Sequence, residues 1–334
     1  MVILLLAIMV VAAVAAGLAW RHLQGFAGSP MTLDASVVVQ IPPGSGVKTL
    51  AAQLSDKGII ATPYWFEWLA RIEKFAPRLK AGEYRLEPGD SPREALELFS
   101  SGKVIAYSET LVEGWNFRQM MEAVRASPIL EHTLPDLSAE TVMSAIGAEG
   151  EHPEGRFYPD TYQFPRGTTD VDFLRRAYRT MERKLAQAWA ERREGLPLKT
   201  PYEALILASI VEKETAAPEE RPLIAGVFVR RLEKGMRLQT DPTVIYGMGE
   251  AYKGNIRRRD LRTDTPYNTY TRGGLPPTPI AMPGGAALRA ALHPADGKAL
   301  YFVARGDGSG THVFSATLKA HNRAVAEHQL KRKR

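Results

Sequence analysis

The chain has 334 residues, 45% of them hydrophobic and 24% charged. That excludes a disordered or fibrous protein and leaves room for two or three domains with a sizeable core. It contains no cysteine, which excludes disulfides, thiol catalysis and thiolate metal sites. The formal charge of +6 suits an anionic partner such as a membrane surface or a polymer. The basic residues are spread out and no recognition motif occurs, so nucleic acid is not expected as the partner.

Val2 to Trp20 contains no charged residue. As a helix it would be about 28 Å long, close to a hydrocarbon core of about 30 Å. Trp20, Arg21 and His22 would form its interfacial edge. Ala13-Val14-Ala15 resembles a small-residue cleavage site, but the stretch lacks a basic flank and is long for a signal peptide, so residues 1–20 are expected as a retained anchor. No basic residue precedes the span to orient it. Residues 21–35 read as a linker rich in Gly, Ser and Pro toward its end.

A pattern of short strand, Gly-containing turn and amphipathic helix then recurs. Ile41-Pro42-Pro43-Gly44 leads into Val47–Leu54, Leu86-Glu87-Pro88-Gly89 into Pro92–Phe99, and Leu111-Val112-Glu113-Gly114 into Phe117–Val124. Strands are expected at 37–41, 83–86 and 103–111. Residues 36–110 thus read as small α+β units, either LysM-like glycan-binding modules or an ordinary packing module. Gly44-Ser45-Gly46-Val47-Lys48-Thr49 lacks the glycine spacing of a phosphate loop, so no nucleotide cofactor is expected. His132 and His152 have no ligand partners at metal-like spacing, and no metal is expected.

Residues 111–199 form an intermediate region with an aromatic turn, Tyr158-Pro159-Asp160-Thr161-Tyr162, and a long helix over 171–193. Residues 200–330 open on a second helix. Thr200 is its cap, Pro201 fits the first position and Glu203 completes a capping box. Ala204, Leu207, Ala208 and Val211 share one face, and Glu214 continues that stripe. Glu212 lies well around the wheel from Glu214, toward a polar face with Ser209 and Lys213. An apolar wall and the negative helix end both disfavour charge on Glu214, which suits an acid that keeps its proton at neutral pH. The plainer alternative is a rim residue paired with Arg230 or Arg231. A helix over 219–234, a Pro- and Gly-rich loop over 264–285, a hairpin with strands at 300–304 and 312–314, a helix over 316–328 and a solvated basic tail at 331–334 complete the expected order.

Several motifs then resemble one family. They are Ala208-Ser209-Ile210-Val211-Glu212-Lys213-Glu214-Thr215, Arg237-Leu238-Gln239-Thr240-Asp241-Pro242-Thr243-Val244-Ile245-Tyr246-Gly247, Tyr267-Asn268-Thr269-Tyr270 and Gly274-Leu275-Pro276-Pro277. They resemble the endolytic murein transglycosylases, the YceG-like family, over nearly the whole chain. The resemblance implies an α+β fold with an N-terminal transmembrane helix, a LysM-like region and a catalytic domain with a lysozyme-like catalytic helix. It implies a lytic transglycosylase that cuts peptidoglycan glycan strands internally and leaves 1,6-anhydro-N-acetylmuramic ends. Residues 21–334 would then work outside the cytoplasmic membrane. The family's catalytic glutamate carries over to Glu214. Gln239, Asp241, Thr243, Tyr246, Tyr267, Asn268 and Tyr270 are the candidates for substrate binding, with Leu275, Pro276 and Pro277 shaping a groove wall. Asp241 or Asp264 would be the second carboxylate if the reaction were a hydrolysis. Peptidoglycan strands are the expected partner, with peptidoglycan synthases a further candidate.

Overall fold

The structure is a computed structural model and describes residues 2–330; the basic tail at 331–334 lies outside the described residues. The chain divides into two units. One takes the chain to Ser108 together with Gln163–Thr168, the other Glu109–Tyr162 and the chain from Thr169 onward. Both mix helix and strand.

In the first unit, helix α1 (Val2–Gly28) carries the apolar run. Among the described residues it is the helix long and apolar enough to cross a membrane, with a mean hydropathy of 3.0. Its first twenty residues are exposed, while Leu23 and Ala27 are buried. Residues 21–28, read from sequence as linker, are therefore helical, because their apolar positions pack into the unit's core. Strand β1 (Val37–Ile41) turns Val39 and Ile41 inward and pairs antiparallel with β2 (Gly82–Leu86), Val37 facing Leu86. Helices α2 (Val47–Asp56) and α3 (Pro63–Ile72) lie between these strands in sequence. Helix α4 (Pro92–Ser101) follows, closed at its start by a reciprocal Ser91–Glu94 capping box and at its end by Gly102 at φ 76°. Leu50, Leu54, Phe66, Leu69, Leu96 and Phe99 form one apolar core around these elements.

Strand β3 (Ala106–Thr110) is followed by α5 (Phe117–Ala126) and α6 (Ala139–Ile146), and β3 pairs with β4 (Thr161–Pro165). The third strand of the sequence repeat therefore does not join the first two.

The second unit is built around helices α7 (Asp170–Ala190), α8 (Pro201–Glu214), α9 (Arg221–Glu233) and α11 (Gly285–Leu292), with α10 (Asp241–Met248) between the last two in sequence. Its core joins Leu205 and Leu207 of α8 to Ile224 and Phe228 of α9 and to Leu288 and Ala291 of α11. An antiparallel hairpin of β5 (Tyr301–Ala304) and β6 (His312–Ser315) precedes α12 (Leu318–Val325). Residues 111–199 and 200–330, separate regions in the sequence reading, fall in this one unit apart from the Gln163–Thr168 segment.

Candidate active site

Helix α8 begins as its residues dictate. The Thr200 side chain accepts from the Glu203 backbone N–H at 3.2 Å, with Pro201 at the first position. The capping box is not reciprocal, because the Glu203 carboxylate takes the N–H of Lys199 instead. The expected apolar stripe is also corrected. Every residue from Ala204 to Val211 is buried, Ser209 included, because α8 is packed by α7, α9, α10 and α11. A helix covered on all sides has no polar face.

This changes the meaning of the two acids at its end. Glu212 does not face solvent: its side chain is 6% exposed and pairs with Arg221 at 3.1 Å. Its second oxygen accepts the backbone N–H of Gly284, at the start of α11, at 3.0 Å. Burial raises its pKa, while the Gly284 N–H and Arg221 pull it back. Glu212 thus acts as a buried clamp between α8, α9 and α11.

Glu214 is the last residue of α8, which ends where Thr215 turns extended. It is partly buried and accepts a hydrogen bond from the Thr240 hydroxyl. Burial pushes its pKa up to about 7; the Thr240 bond and Arg231 oppose the rise, and the charge of Asp241 adds to it. Arg231 influences Glu214 through space but spends its guanidinium on the carbonyls of Leu300, Arg237 and Leu238. Arg230 bonds the carbonyls of Ala295 and Ala299. Neither arginine forms the direct ion pair that would make Glu214 a simple rim residue.

Thr240 is held by a small threonine network. Its N–H donates to the Thr269 hydroxyl at 3.1 Å, and the Thr243 hydroxyl donates to its carbonyl at 2.8 Å. Thr243 is fully buried, so this candidate supports the site from within. Gln239 precedes Thr240, is exposed and adopts a left-handed backbone at φ 50°, an uncommon conformation that recurs at functional turns. Asp241 accepts from the Tyr270 hydroxyl at 2.5 Å. Glu214, Thr240, Asp241 and Tyr270 are thus gathered at the junction of α8 and α10.

Asn268 is held inside its own loop. It is 1% exposed; its amide nitrogen bonds the carbonyls of Asp260, Leu261 and Thr263, and its oxygen accepts the Tyr270 N–H. Its donors are spent on shaping the 260–270 loop. Asp264 is ion-paired to Arg272 at 2.8 Å and held down to about 2 by hydrogen bonds from Arg272 and Thr271. Leu275, Pro276 and Pro277 line a separate pocket of about 460 Å³ with Thr200 and Glu203, not the large cleft.

That cleft has a volume of about 1030 Å³ and is lined by Asn116, Phe117, Glu154, Lys213, Tyr246 and Tyr267 among others. Lys213 and Pro242, which also line it, are chain neighbours of Glu214 and Asp241. Tyr246 and Tyr267 meet edge to face at 4.8 Å. Glu154 escaped the sequence reading. It is a buried carboxyl raised by desolvation to about 7, in a Pro-Glu-Gly turn whose only signal was an acid in an otherwise turn-like segment. Thr240 and Thr269 were quoted in motifs but not singled out, since a hydroxyl's target is invisible until the chain folds. Among the described residues no group of three His, Asp or Glu side chains converges as a metal site.

The YceG-like family matches residues 39–327. A Bacillus subtilis (strain 168) protein named endolytic murein transglycosylase is 31% identical over 306 residues, covering 86% of this chain and 84% of its own length. A Streptococcus pneumoniae (serotype 2, strain D39) protein of the same name is 28% identical over 327 residues; the match covers 87% of this chain but 58% of that longer protein. The crystal structure of a YceG-like protein from Listeria monocytogenes is similar at a TM-score of 0.53 and 30% identity, covering 86% of this chain and 98% of that one. With a match over residues 39–327 and relatives aligned along most of its length, the chain belongs to the YceG-like family.

Proposed function

We infer that the chain is a lytic transglycosylase of peptidoglycan, and that Glu214 does the proton work alone. The observation that carries the mechanism is a partly buried carboxyl raised to about 7, with no direct cation partner among the described residues, at a polar junction with Thr240 and Asp241. The substrate class follows from the relatives' names. Protonated Glu214 donates to the glycosidic oxygen between N-acetylmuramic acid and N-acetylglucosamine as the C1–O bond breaks. The carboxylate left behind then takes the proton of the muramyl C6 hydroxyl, whose oxygen closes on C1 as the 1,6-anhydro ring. Proton and oxygen balance without water, so a single acid-then-base group suffices. The Thr240 hydroxyl orients the carboxyl, and the charge of Asp241 favours the protonated state that the first step needs. Asp241 and Tyr270 are the polar neighbours available to a developing oxocarbenium charge, with Gln239 at the rim.

The strand–helix–helix–strand order of β1, α2, α3 and β2 supports reading residues 36–110 as LysM-like, with a role in holding glycan. Helix α1 supports a single membrane anchor, and a peptidoglycan substrate, taken from the relatives' names, supports placing the rest of the chain outside the cytoplasmic membrane. Peptidoglycan synthases are proposed partners. The lysozyme-like character of α8 rests on an acid at the helix's end, facing the junction with α10.

Asp241 keeps a second reading in play, hydrolysis by two carboxylates. Digestion of purified sacculi followed by mass spectrometry decides. Anhydro-ended fragments are expected; hydrated reducing ends would make the chain a muramidase, and co-sedimentation without products would make it a glycan-binding scaffold.

A further inference from the structure

The cleft wall holds a buried carboxyl that the transglycosylase chemistry leaves unused. Glu154 is 3% exposed. Its partners among the described residues are neutral: the backbone N–H of Phe117 donates to its two oxygens at 3.1 and 3.2 Å, and the Tyr246 hydroxyl donates to Oε2 at 3.0 Å. Phe117 is the first residue of α5, where backbone N–H groups lack helical partners and welcome an acceptor. The turn that carries Glu154 is itself set against neighbouring chain. Gly155 sits at φ +75°, and a Cβ there would meet Pro279 at 2.6 Å. On the other side of Tyr246, its ring meets Tyr267 edge to face, and the Tyr267 hydroxyl shares a hydrogen bond with Thr278 at 2.9 Å. Both phenol hydroxyls are thus tied into the wall while both rings remain partly exposed to the cleft.

Burying a carboxyl without a cation is costly, and this one is placed where it fixes an aromatic side chain rather than where it closes a core. Two tyrosines with anchored hydroxyls present a rigid, amphipathic surface, the kind that binds a ring with little ordering cost. Resting on the transglycosylase reading, we propose that Glu154 is a positioning residue. It ties the Tyr246 hydroxyl to the start of α5, so that Tyr246 and Tyr267 form a fixed platform for a pyranose ring of the glycan strand. Glu154 touches no reacting atom and acts through Tyr246.

The test uses the full chain in detergent, with Glu214→Gln added so that the strand is not cut, and purified uncross-linked glycan strands as the probe. Glu154→Ala and Tyr246→Phe should each weaken strand binding about tenfold, the scale of one lost hydrogen bond to a carboxyl. Glu154→Gln, whose amide offers an acceptor to Phe117 and a donor to Tyr246, should restore binding to within about threefold. In the chain with Glu214 intact, Glu154→Ala and Tyr246→Phe should raise KM more than they lower kcat. Circular dichroism checks folding; should Glu154→Ala unfold, Tyr246→Phe removes a single oxygen and decides by itself. Unchanged strand affinity in the folded variants, or a fall in kcat at constant KM, would overturn the proposal. Absence of anhydro products from the unsubstituted chain would sink the transglycosylase reading instead, and the platform would still be judged by strand binding.

Discussion

Glu212 and Glu214 stand two residues apart on one helix and meet different surroundings. Glu212 faces a guanidinium and a backbone N–H, while Glu214 has one hydroxyl donor and the nearby charge of Asp241. Glu214→Gln should fold and lose cleavage by at least about a hundredfold, as expected on removing a general acid; anhydro-end release from sacculi measures it. Glu212→Gln should keep cleavage but lower the unfolding midpoint, since a buried Arg221 loses its nearer carboxylate and keeps only Glu113 at 3.8 Å, at a cost of about 3 kcal/mol. The pH dependence has a definite sign. The folded-state pKa of Glu214 lies near 7, above its ordinary 4.5, so between those values the native state holds a proton that the unfolded state has released. Stability should therefore fall as pH rises from about 4.5 to about 7 and level off above. Urea unfolding across that range should show a shallower decline in Glu214→Gln. The cleavage rate should fall as pH rises through about 7, and Asp241→Asn, by removing a charge that raises Glu214, should move that fall to lower pH.

Helix α8 is the element on which the site depends. Its start was legible because Thr200 and Pro201 act on their immediate neighbours. The long helix expected over 171–193 lies at Asp170–Ala190, and the expected strand pair at 300–304 and 312–314 is β5 with β6. The burial of α8 on every side was not legible, since Ser209 reads as polar until Ile280 is seen to donate its N–H to that hydroxyl at 3.0 Å. Close packing of α9 makes a second testable point. A Cβ at Gly226 would lie 2.4 Å from the carbonyl oxygen of Ala295, a backbone atom that cannot turn aside. Gly226→Ala should destabilise the unit by about 1–3 kcal/mol despite its better helix propensity, read by denaturant unfolding. The run Arg237 to Gly247, the most specific part of the resemblance, acts as an element too: it brings Thr240 to Glu214 and Tyr246 to Glu154.

At the scale of the whole molecule, α1 has two unlike parts. Residues 2–20 are exposed and carry no charge, while Leu23 and Ala27 belong to the core of the first unit. Removing residues 2–20 should give a protein soluble without detergent and with its thermal midpoint retained. Removing residues 2–28 should lower that midpoint, and Leu23→Ala alone should cost about 2–4 kcal/mol. Differential scanning of the two truncations checks this. Equal midpoints would show that the end of α1 contributes nothing to the unit.

By itself the sequence determined what depends on near neighbours: the apolar helix, the caps and glycine stops, the mixed α+β order and the acid at the end of α8. Tertiary structure alone decided which side chains share a site. Thr240 reaches Glu214 across 26 positions and Tyr246 reaches Glu154 across 92. The physical reason is desolvation. A carboxyl's pKa is set by the atoms that displace water from around it, and at Glu154 and Glu214 those atoms come from chain segments that only folding brings together.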